Sequence, residues 1–464
     1  MSECEARLPK RAARVMDKLL YAAVGGLVTY AIIRIYDNHK RKNNRVVPAP
    51  STIRLMTRLA IKAGAVNLSQ GFPNEPPPRE MLLAAAGALI DGETPETAAK
   101  YATTLEKLVR PEKAGANSKD SLNQYSFPFG APILRQALSE YYATFYPEVP
   151  ADPEENLTVV LGATEGFAIC LRTLCVPGDV VVFFQPFHEL YPAQCTLWGM
   201  VPRAVTLFEN DDLTGWVYDP VALDKALRGA TALLFNSPHN PTGKVFTTAE
   251  LQQIGDLCAK HNVLIVTDEI YEHIIFDGVK HTSLAQLPGM AERTLIVNAL
   301  SKTARATGWR VGWVVSPKRF TPSLRAVHDQ LVLQAPSPLQ FGSATMLRLG
   351  RKAFNDVHLE YLPKREILLT ALREAGFTVG AVPEGAYYLF VGYHSVPALK
   401  GLSPTEATMK MIEEYKVACV PGDNFYLGKE AKADPQRGGR YLRFTFVRSI
   451  DVLKEGAEKL KALQ

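Results

Sequence analysis

The chain has 464 residues, 47% hydrophobic and 21% charged. That balance excludes a disordered chain, and the length exceeds one ordinary hydrophobic core, so two domains are expected. The net charge of +5 is small for this length, and nucleic-acid binding gets no support from it.

In chain order, the first feature is an apolar stretch from Leu19 to Ile33, continued past Arg34 by Ile35 and Tyr36 and flanked by basic residues on both sides. Residues 19–36 are just long enough to cross a bilayer if Arg34 snorkels to the headgroups. No small-residue cleavage site stands out, which favours a retained anchor with the globular part in a reducing compartment. The alternatives are a mitochondrial or plastid targeting segment, or a buried helix in a cytoplasmic protein. The basic flanks are nearly balanced and set no topology. Polar residues with Pro48 and Pro50 then form a linker, so residues 1–50 stand apart, and globular sequence starts near Ile53. Around Val66 to Pro78 the prolines forbid a regular element, and Gly71, before Phe72 and Pro73, marks a close backbone approach. Residues 91–122 are polar and read as an insertion, followed by an amphipathic helix from Pro132 to Tyr146.

From residue 157 apolar runs alternate with helical patterns. Leu157 to Leu161, Asp179 to Phe184, Thr231 to Phe235, Val263 to Thr267 and Thr294 to Val297 read as buried strands, and Thr247 with Glu250 forms a capping-box signature. This predicts an α/β fold with a mostly parallel sheet covered on both faces, in which ligands bind beyond the carboxyl ends of the strands. After a helical stretch from Gln340 to Gly376, short strands at Phe377, Tyr387 and Tyr441 suggest a smaller α+β domain. The expected division is a large domain over 123–345 and a small domain made of 53–90 with 346–464. The six cysteines form no C-x-x-C pair or zinc spacing, which points to reduced, mostly buried thiols and no metal site.

Polar clusters fall at the strand ends. Gly162, Ala163 and Thr164 open a helix whose free N–H groups suit an anion, or form an ordinary strand–helix turn. Asp268 ends an apolar run and needs a cation or donors, or caps a helix. Tyr271 offers a phenol. Asn240, held by Pro241, offers an amide, or simply makes a turn. Lys302 follows the Thr294 strand, with Arg310 beyond it. A lysine there acts as a nucleophile only when desolvated or set near another cation; otherwise the pair is a solvated surface turn. Together the set matches what pyridoxal phosphate requires: a lysine for a Schiff base, a carboxylate for the ring nitrogen, phenol and amide donors for the ring oxygen, and an anion nest with an arginine for the phosphate.

The segments Asn67-Leu-Ser-Gln-Gly-Phe-Pro, Asn123-Gln-Tyr, Asn236-Ser-Pro-His-Asn-Pro-Thr-Gly, Asp268-Glu-Ile-Tyr, Ser301-Lys-Thr, Ala306-Thr-Gly-Trp-Arg-Val-Gly-Trp, Pro383-Glu-Gly-Ala-Tyr-Tyr and Tyr441-Leu-Arg-Phe occur in this order. With them the chain, over roughly 53–464, resembles the fold-type-I, class I/II aminotransferases, in particular the kynurenine–glutamine aminotransferase and cysteine-conjugate β-lyase branch. The resemblance implies pyridoxal 5'-phosphate as cofactor and ping-pong transfer of an amino group from an aromatic, sulfur-containing or glutamine-like amino acid to a 2-oxo acid. It implies that Arg443 clamps the substrate carboxylate and that Gly71 touches the substrate through its backbone. It also implies that Tyr125 reaches the neighbouring subunit's cofactor phosphate in a homodimer. Three positions depart from the family pattern. Ala299 stands three residues before the lysine, where Gly or a phosphate-binding Ser is usual, and adjacent Ser301 is expected to point elsewhere on a regular backbone. Arg305 replaces a small residue, to contact phosphate or substrate, or to face solvent. His188 holds the place of the ring-stacking aromatic; a neutral His188 is the favoured stacker and Phe187 the alternative. Two rival functions are a pyridoxal-phosphate carbon–sulfur lyase and a membrane-tethered scaffold that has lost catalysis.

Overall fold

Apolar runs with no polar alternation set the centre of the fold. A computed structural model describes residues 52–69 and 127–463. Among these the strands are β1 (Val66–Asn67), β2 (Leu157–Val160), β3 (Val180–Gln185), β4 (Val201–Glu209), β5 (Trp216–Tyr218), β6 (Ala232–Asn236), β7 (Leu264–Asp268), β8 (Thr294–Ala299), β9 (Gly312–Val315), β10 (Tyr388–Gly392), β11 (Val417–Ala418), β12 (Val420–Pro421) and β13 (Tyr441–Thr445). Eight of them form the main sheet, in the order β2-β9-β8-β7-β6-β3-β4-β5. Strands β8, β7, β6, β3 and β4 run parallel to their neighbours in that block, while β9 is antiparallel to both β2 and β8, and β5 is antiparallel to β4. The sheet is therefore mixed, with a parallel block at its centre.

Both faces are covered, as the unbroken apolar runs demand. Along β3, Val181 and Phe183 join one buried cluster with Ile169 and Val297, while Val182 and Phe184 join another with Leu223 and Ile254. The two-residue alternation of a strand sends neighbours to opposite layers, and here each layer is apolar. The helix Gly162–Leu174 covers the first layer and Thr248–Lys260 the second. The latter opens with the expected capping box: Glu250 N donates to Thr247 Oγ1 at 3.2 Å and Thr247 N to Glu250 Oε2 at 2.9 Å.

A second sheet, β10-β13-β12, is antiparallel, and β1 pairs in parallel with β11. Behind it Leu368 and Leu372 of the helix Val357–Glu374 pack in one cluster with Leu442, Phe444 and Leu453. The helical stretch expected over 340–376 is three helices, Ser337–Leu347, Arg351–Asn355 and Val357–Glu374. Gly350 takes a left-handed φ of 84° and breaks the first turn away. The strand expected at Phe377 reduces to a single bridge, Thr378 with Gly392.

Cys170, Cys175, Cys195, Cys258 and Cys419 are free and buried. No helix of the described residues is long and apolar enough to cross a membrane. The apolar stretch 19–36, Gly71, the 91–122 insertion and Tyr125 lie outside the described residues.

Candidate active site

Three parallel strands and one reversed strand bring the polar clusters together. β6 ends at Asn236, β7 at Asp268 and β8 at Ala299, and β9 starts at Gly312 just after Arg310. A cavity of about 730 Å³ lies beyond these ends. Ala163, Thr164, His188, Asp268, Tyr271, Lys302, Arg310 and Arg443 line it, so most of the residues singled out in the sequence share one space.

Lys302 sits on the short helix Leu300–Thr303 that continues β8. Burial pulls its amine down to about 8; Asp268 opposes that shift, and Arg310 and Arg443 reinforce it. A lysine so placed has a substantial neutral fraction near physiological pH, which nucleophilic attack and proton transfer both require. Burial raises the Asp268 carboxyl to about 6, and Tyr191 and Lys302 work in the other direction. Tyr191 Oη donates to Asp268 Oδ2 at 2.6 Å, while Oδ1 takes only a long bond, 3.4 Å, from Ile270 N. One carboxylate oxygen is thus fixed, and the other is only weakly engaged and can accept from a protonated ring nitrogen.

Asn240 is oriented by a chain of amides. Asn236 Nδ2 donates to Asp268 O at 2.9 Å and to Pro238 O at 3.0 Å, and Asn236 Oδ1 accepts from Asn240 N at 2.7 Å. Arg443, buried on β13, donates to Asn240 Oδ1 at 3.0 Å and to Ser69 O at 2.9 Å, with its guanidinium 4.3 Å from the Tyr388 ring centroid. Two buried donors here, Asn240 Nδ2 and Arg443 Nε, have no hydrogen-bond partner among the described residues. Burying a donor unpaired costs about 1–3 kcal/mol, so acceptor oxygens of a ligand suit this spot. Tyr271 Oη lies 3.0 Å from Tyr388 Oη, which sets it at the cavity wall.

The anion nest is built by close approach. Gly162 has a φ of 73°, and a Cβ there would stand 2.2 Å from a guanidinium nitrogen of Arg310. Arg310 is itself left-handed, with φ 54°, and donates to Thr307 O at 3.0 Å. Glu165 accepts from Leu161 N at 2.5 Å, which braces the turn ahead of the helix. His328, on the helix Thr321–Leu331, reaches Glu165 Oε1 at 2.5 Å with Nδ1 and Pro128 O at 2.8 Å with Nε2. Pro128 O accepts, and so does an ionised Glu165, in which case both ring nitrogens carry protons and His328 is an imidazolium, in line with its raised pKa.

His188 lines the cavity, and its Nδ1 accepts from Leu190 N at 3.0 Å. Burial pulls this imidazole down to about 4, opposed by Glu189 and aided by Arg443 and Lys302. It is therefore neutral. Phe187 instead packs in the core, its ring 5.2 Å from Phe183. Ser301 lines the same cavity as Lys302, contrary to expectation. The backbone here is helical, and adjacent side chains diverge by only about 100°. Arg305 is partly buried and pairs with Glu360, which Lys364 also meets at 3.0 Å. The sequence reading missed Tyr191, Tyr388, Glu165 and His328. Tyr388 lies within a quoted motif that carried no role, and Tyr191 lies three residues past His188; a buried Asp268 in need of a donor was the available signal.

The fit to pyridoxal phosphate therefore rests on a desolvated amine, a half-engaged carboxylate, orphaned donors and a guanidinium over a glycine turn. Residues 88–460 match the family described as aminotransferase class I and II. Kynurenine–oxoglutarate transaminase 3 of Mus musculus is 30% identical over 88% of this chain and 86% of its own length. The structure of N-succinyldiaminopimelate aminotransferase from Mycobacterium tuberculosis matches with a TM-score of 0.77 and 30% identity, over 90% of this chain and 98% of that one. YbdL from Escherichia coli, a methionine aminotransferase, matches with a TM-score of 0.75 and 27% identity, over 89% of this chain and 97% of that one. The chain belongs to the class I and II aminotransferases, enzymes of the fold-type-I architecture that use pyridoxal phosphate to move amino groups between amino acids and 2-oxo acids.

Proposed function

We propose that Lys302 is the catalytic lysine of this aminotransferase, and that its amino donors have aromatic, sulfur-containing or glutamine-like side chains. The observation that carries the first part is the lowered Lys302 amine opposite Asp268 in one buried cavity. When bound, pyridoxal phosphate supplies an aldehyde for an amine and a protonated ring that accepts the electrons of the Cα–H bond. Asp268 holds the proton on the ring nitrogen. Asn240 Nδ2 and Tyr271 donate to the ring oxygen. Gly162, Ala163, Thr164 and Arg310 hold the phosphate, and neutral His188 covers one ring face without adding charge. Arg443 clamps the substrate carboxylate, with Gly71 contributing backbone contact. Lys302 Nζ takes the proton from the substrate Cα and later returns one. A 2-oxo acid leaves, and a second 2-oxo acid accepts the amino group. The residues over 123–345 are read as the cofactor domain; the pairing of β1 with β11 supports joining 53–90 to 346–464.

The side-chain preference draws on the names of the relatives and on the cavity wall. Arg310 and Arg443 are the two arginines among its described lining residues, both already assigned, and Glu189 adds a carboxylate. Among the described lining residues an acidic side chain has no cation of its own.

Lys302→Ala abolishes the visible band of lysine-bound cofactor and lowers transamination by at least about 10²–10⁴-fold; an unchanged band in that variant rules out the assignment. Product analysis with and without an added 2-oxo acid separates transfer from carbon–sulfur lysis, since lysis needs no acceptor. In a panel of donors against one 2-oxo acid, kynurenine, methionine, phenylalanine and glutamine react with higher kcat/KM than aspartate or glutamate. The reverse order refutes the proposed preference. Light scattering gives twice the mass of one chain, as the Tyr125 contact across a homodimer requires; a monomer that retains cofactor contradicts it.

His328 gives a pH dependence. Its pKa is raised: burial works against the charged form, and the Glu165 hydrogen bond and charge outweigh it. A histidine raised above its unfolded value stabilises fully below that value, about 6.5. The contribution fades as pH climbs through the folded value. Thermal stability and cofactor retention of the native enzyme therefore fall on going from about pH 6.5 into the alkaline range. In His328→Gln this part of the pH profile flattens; identical profiles in the two proteins contradict the imidazolium assignment.

A further inference from the structure

Outside the residues that line the cavity lies a second buried polar group that the reaction described above does not use. Glu272 is 4% exposed and sits one residue after Tyr271 in the turn that follows β7. Its Oε1 accepts from Tyr141 Oη at 2.7 Å and from Asn298 Nδ2 at 2.6 Å, and its Oε2 accepts from Tyr146 Oη. Tyr141 belongs to the helix Pro132–Phe145 and Tyr146 is its C-cap, so the carboxylate joins that helix to the turn and to β8.

The contact with Asn298 reaches the chemistry. An amide that donates its Nδ2 to a fixed carboxylate has its Oδ1 fixed as well, and Asn298 Oδ1 accepts from Ala299 N at 2.7 Å. Ala299 is the N-cap of the helix that carries Lys302 and has no side-chain cap bond of its own. The departure from Ser or Gly at this position thus leaves the start of the lysine helix dependent on its neighbour's amide. The other side of Ala299 is confined too. It pairs in register with Gly312, where a Cβ would stand 2.9 Å from Asn298 O and 3.0 Å from Ala163 N.

We infer that Glu272 is a positioning residue for the reaction, acting through Asn298 and Ala299 to hold the Lys302 helix against the anion nest. The inference rests on Lys302 being the catalytic lysine. A buried carboxylate costs free energy to desolvate, and three donors satisfy it here. Replacing one of its acceptor oxygens with a donor sets donor against donor and frees the Asn298 amide to turn.

Glu272→Gln keeps the shape of the side chain and replaces one acceptor oxygen with a donor. In the holoenzyme it lowers kcat about 10–100-fold, the scale of a misplacement of about 1 Å in a reacting group. KM for the amino donor changes far less, because Arg443 is untouched. Visible circular dichroism per bound cofactor falls, since that signal reports fixed geometry around the chromophore. A role confined to stability lowers the melting temperature and leaves both kcat and the visible dichroism unchanged; that result overturns the inference. Asn298→Ala gives a similar loss, and the double variant is no worse than the weaker single one, as expected for a chain of contacts. Losses that multiply overturn it. If Glu272→Gln does not fold, Asn298→Ala carries the test alone, with unchanged kcat and dichroism as the refuting result. A visible band that survives Lys302→Ala refutes the underlying assignment of the lysine, whereas a lost band there with a normal Glu272→Gln enzyme refutes only the positioning role.

Discussion

The site depends on two opposite charges taken out of water together. Burial alone would neutralise both Lys302 and Asp268, lowering the amine and raising the carboxyl. Asp268 draws the amine back to about 8, while the Tyr191 hydrogen bond, then Ile270 N and Lys302, draw the carboxyl back to about 6. Neither group is pinned in one protonation state across the physiological range. This is the condition for an amine that must be a nucleophile at one moment and a proton donor at another. The parallel block of the sheet makes it possible: adjacent strands end at the same edge, so β7 delivers the carboxylate and β8 the amine without a long loop on either.

The same edge explains why the anion nest is crowded. The reversed strand β9 returns beside β8, so the backbone just before it, at Arg310, arrives next to the start of the helix Gly162–Leu174. Only a glycine at 162 leaves space for the guanidinium. The Glu165 carboxylate lies beside the turn proposed to hold the phosphate, and His328, its pKa raised by that carboxylate, meets it from the helix Thr321–Leu331. The helix that bears His328 also reaches the cavity, which its last residue, Leu331, lines.

What could be read from the sequence follows a physical division. Chemistry placed by one local element was legible. An apolar run that ends in Asp268, a glycine turn at Gly162 and a capping box at Thr247 each declare themselves within a few residues. The α/β class and the family followed from the order of such segments. Partners that fold brings from afar were not legible. Tyr191 meets Asp268 across 77 residues of chain, Tyr388 meets Tyr271 across 117, and His328 meets Glu165 across 163. Arg305 shows the same limit, because its ion pair with Glu360 depends on how the helix Val357–Glu374 packs. The strands β4 and β5 were overlooked for another reason: they lie at the sheet margin, where partly exposed residues interrupt the apolar pattern. β9 was hidden inside a motif read only for its lysine and arginine.

The buried cysteines have a consequence for how the molecule opens. Burial raises the thiols of Cys175, Cys195, Cys258 and Cys419 to about 12, and it raises that of Cys170 as well. In the folded chain these sulfurs are neither ionised nor reachable, so thiol reagents meet them only after a layer lifts away. Cys170 and Cys195 lie in the layer on one side of the sheet, Cys258 in the layer on the other, and Cys419 in the cluster behind β13. The rate at which each sulfur is labelled is therefore a clock for the opening of its own layer, and the described residues carry such clocks on both sides of the main sheet and behind β13.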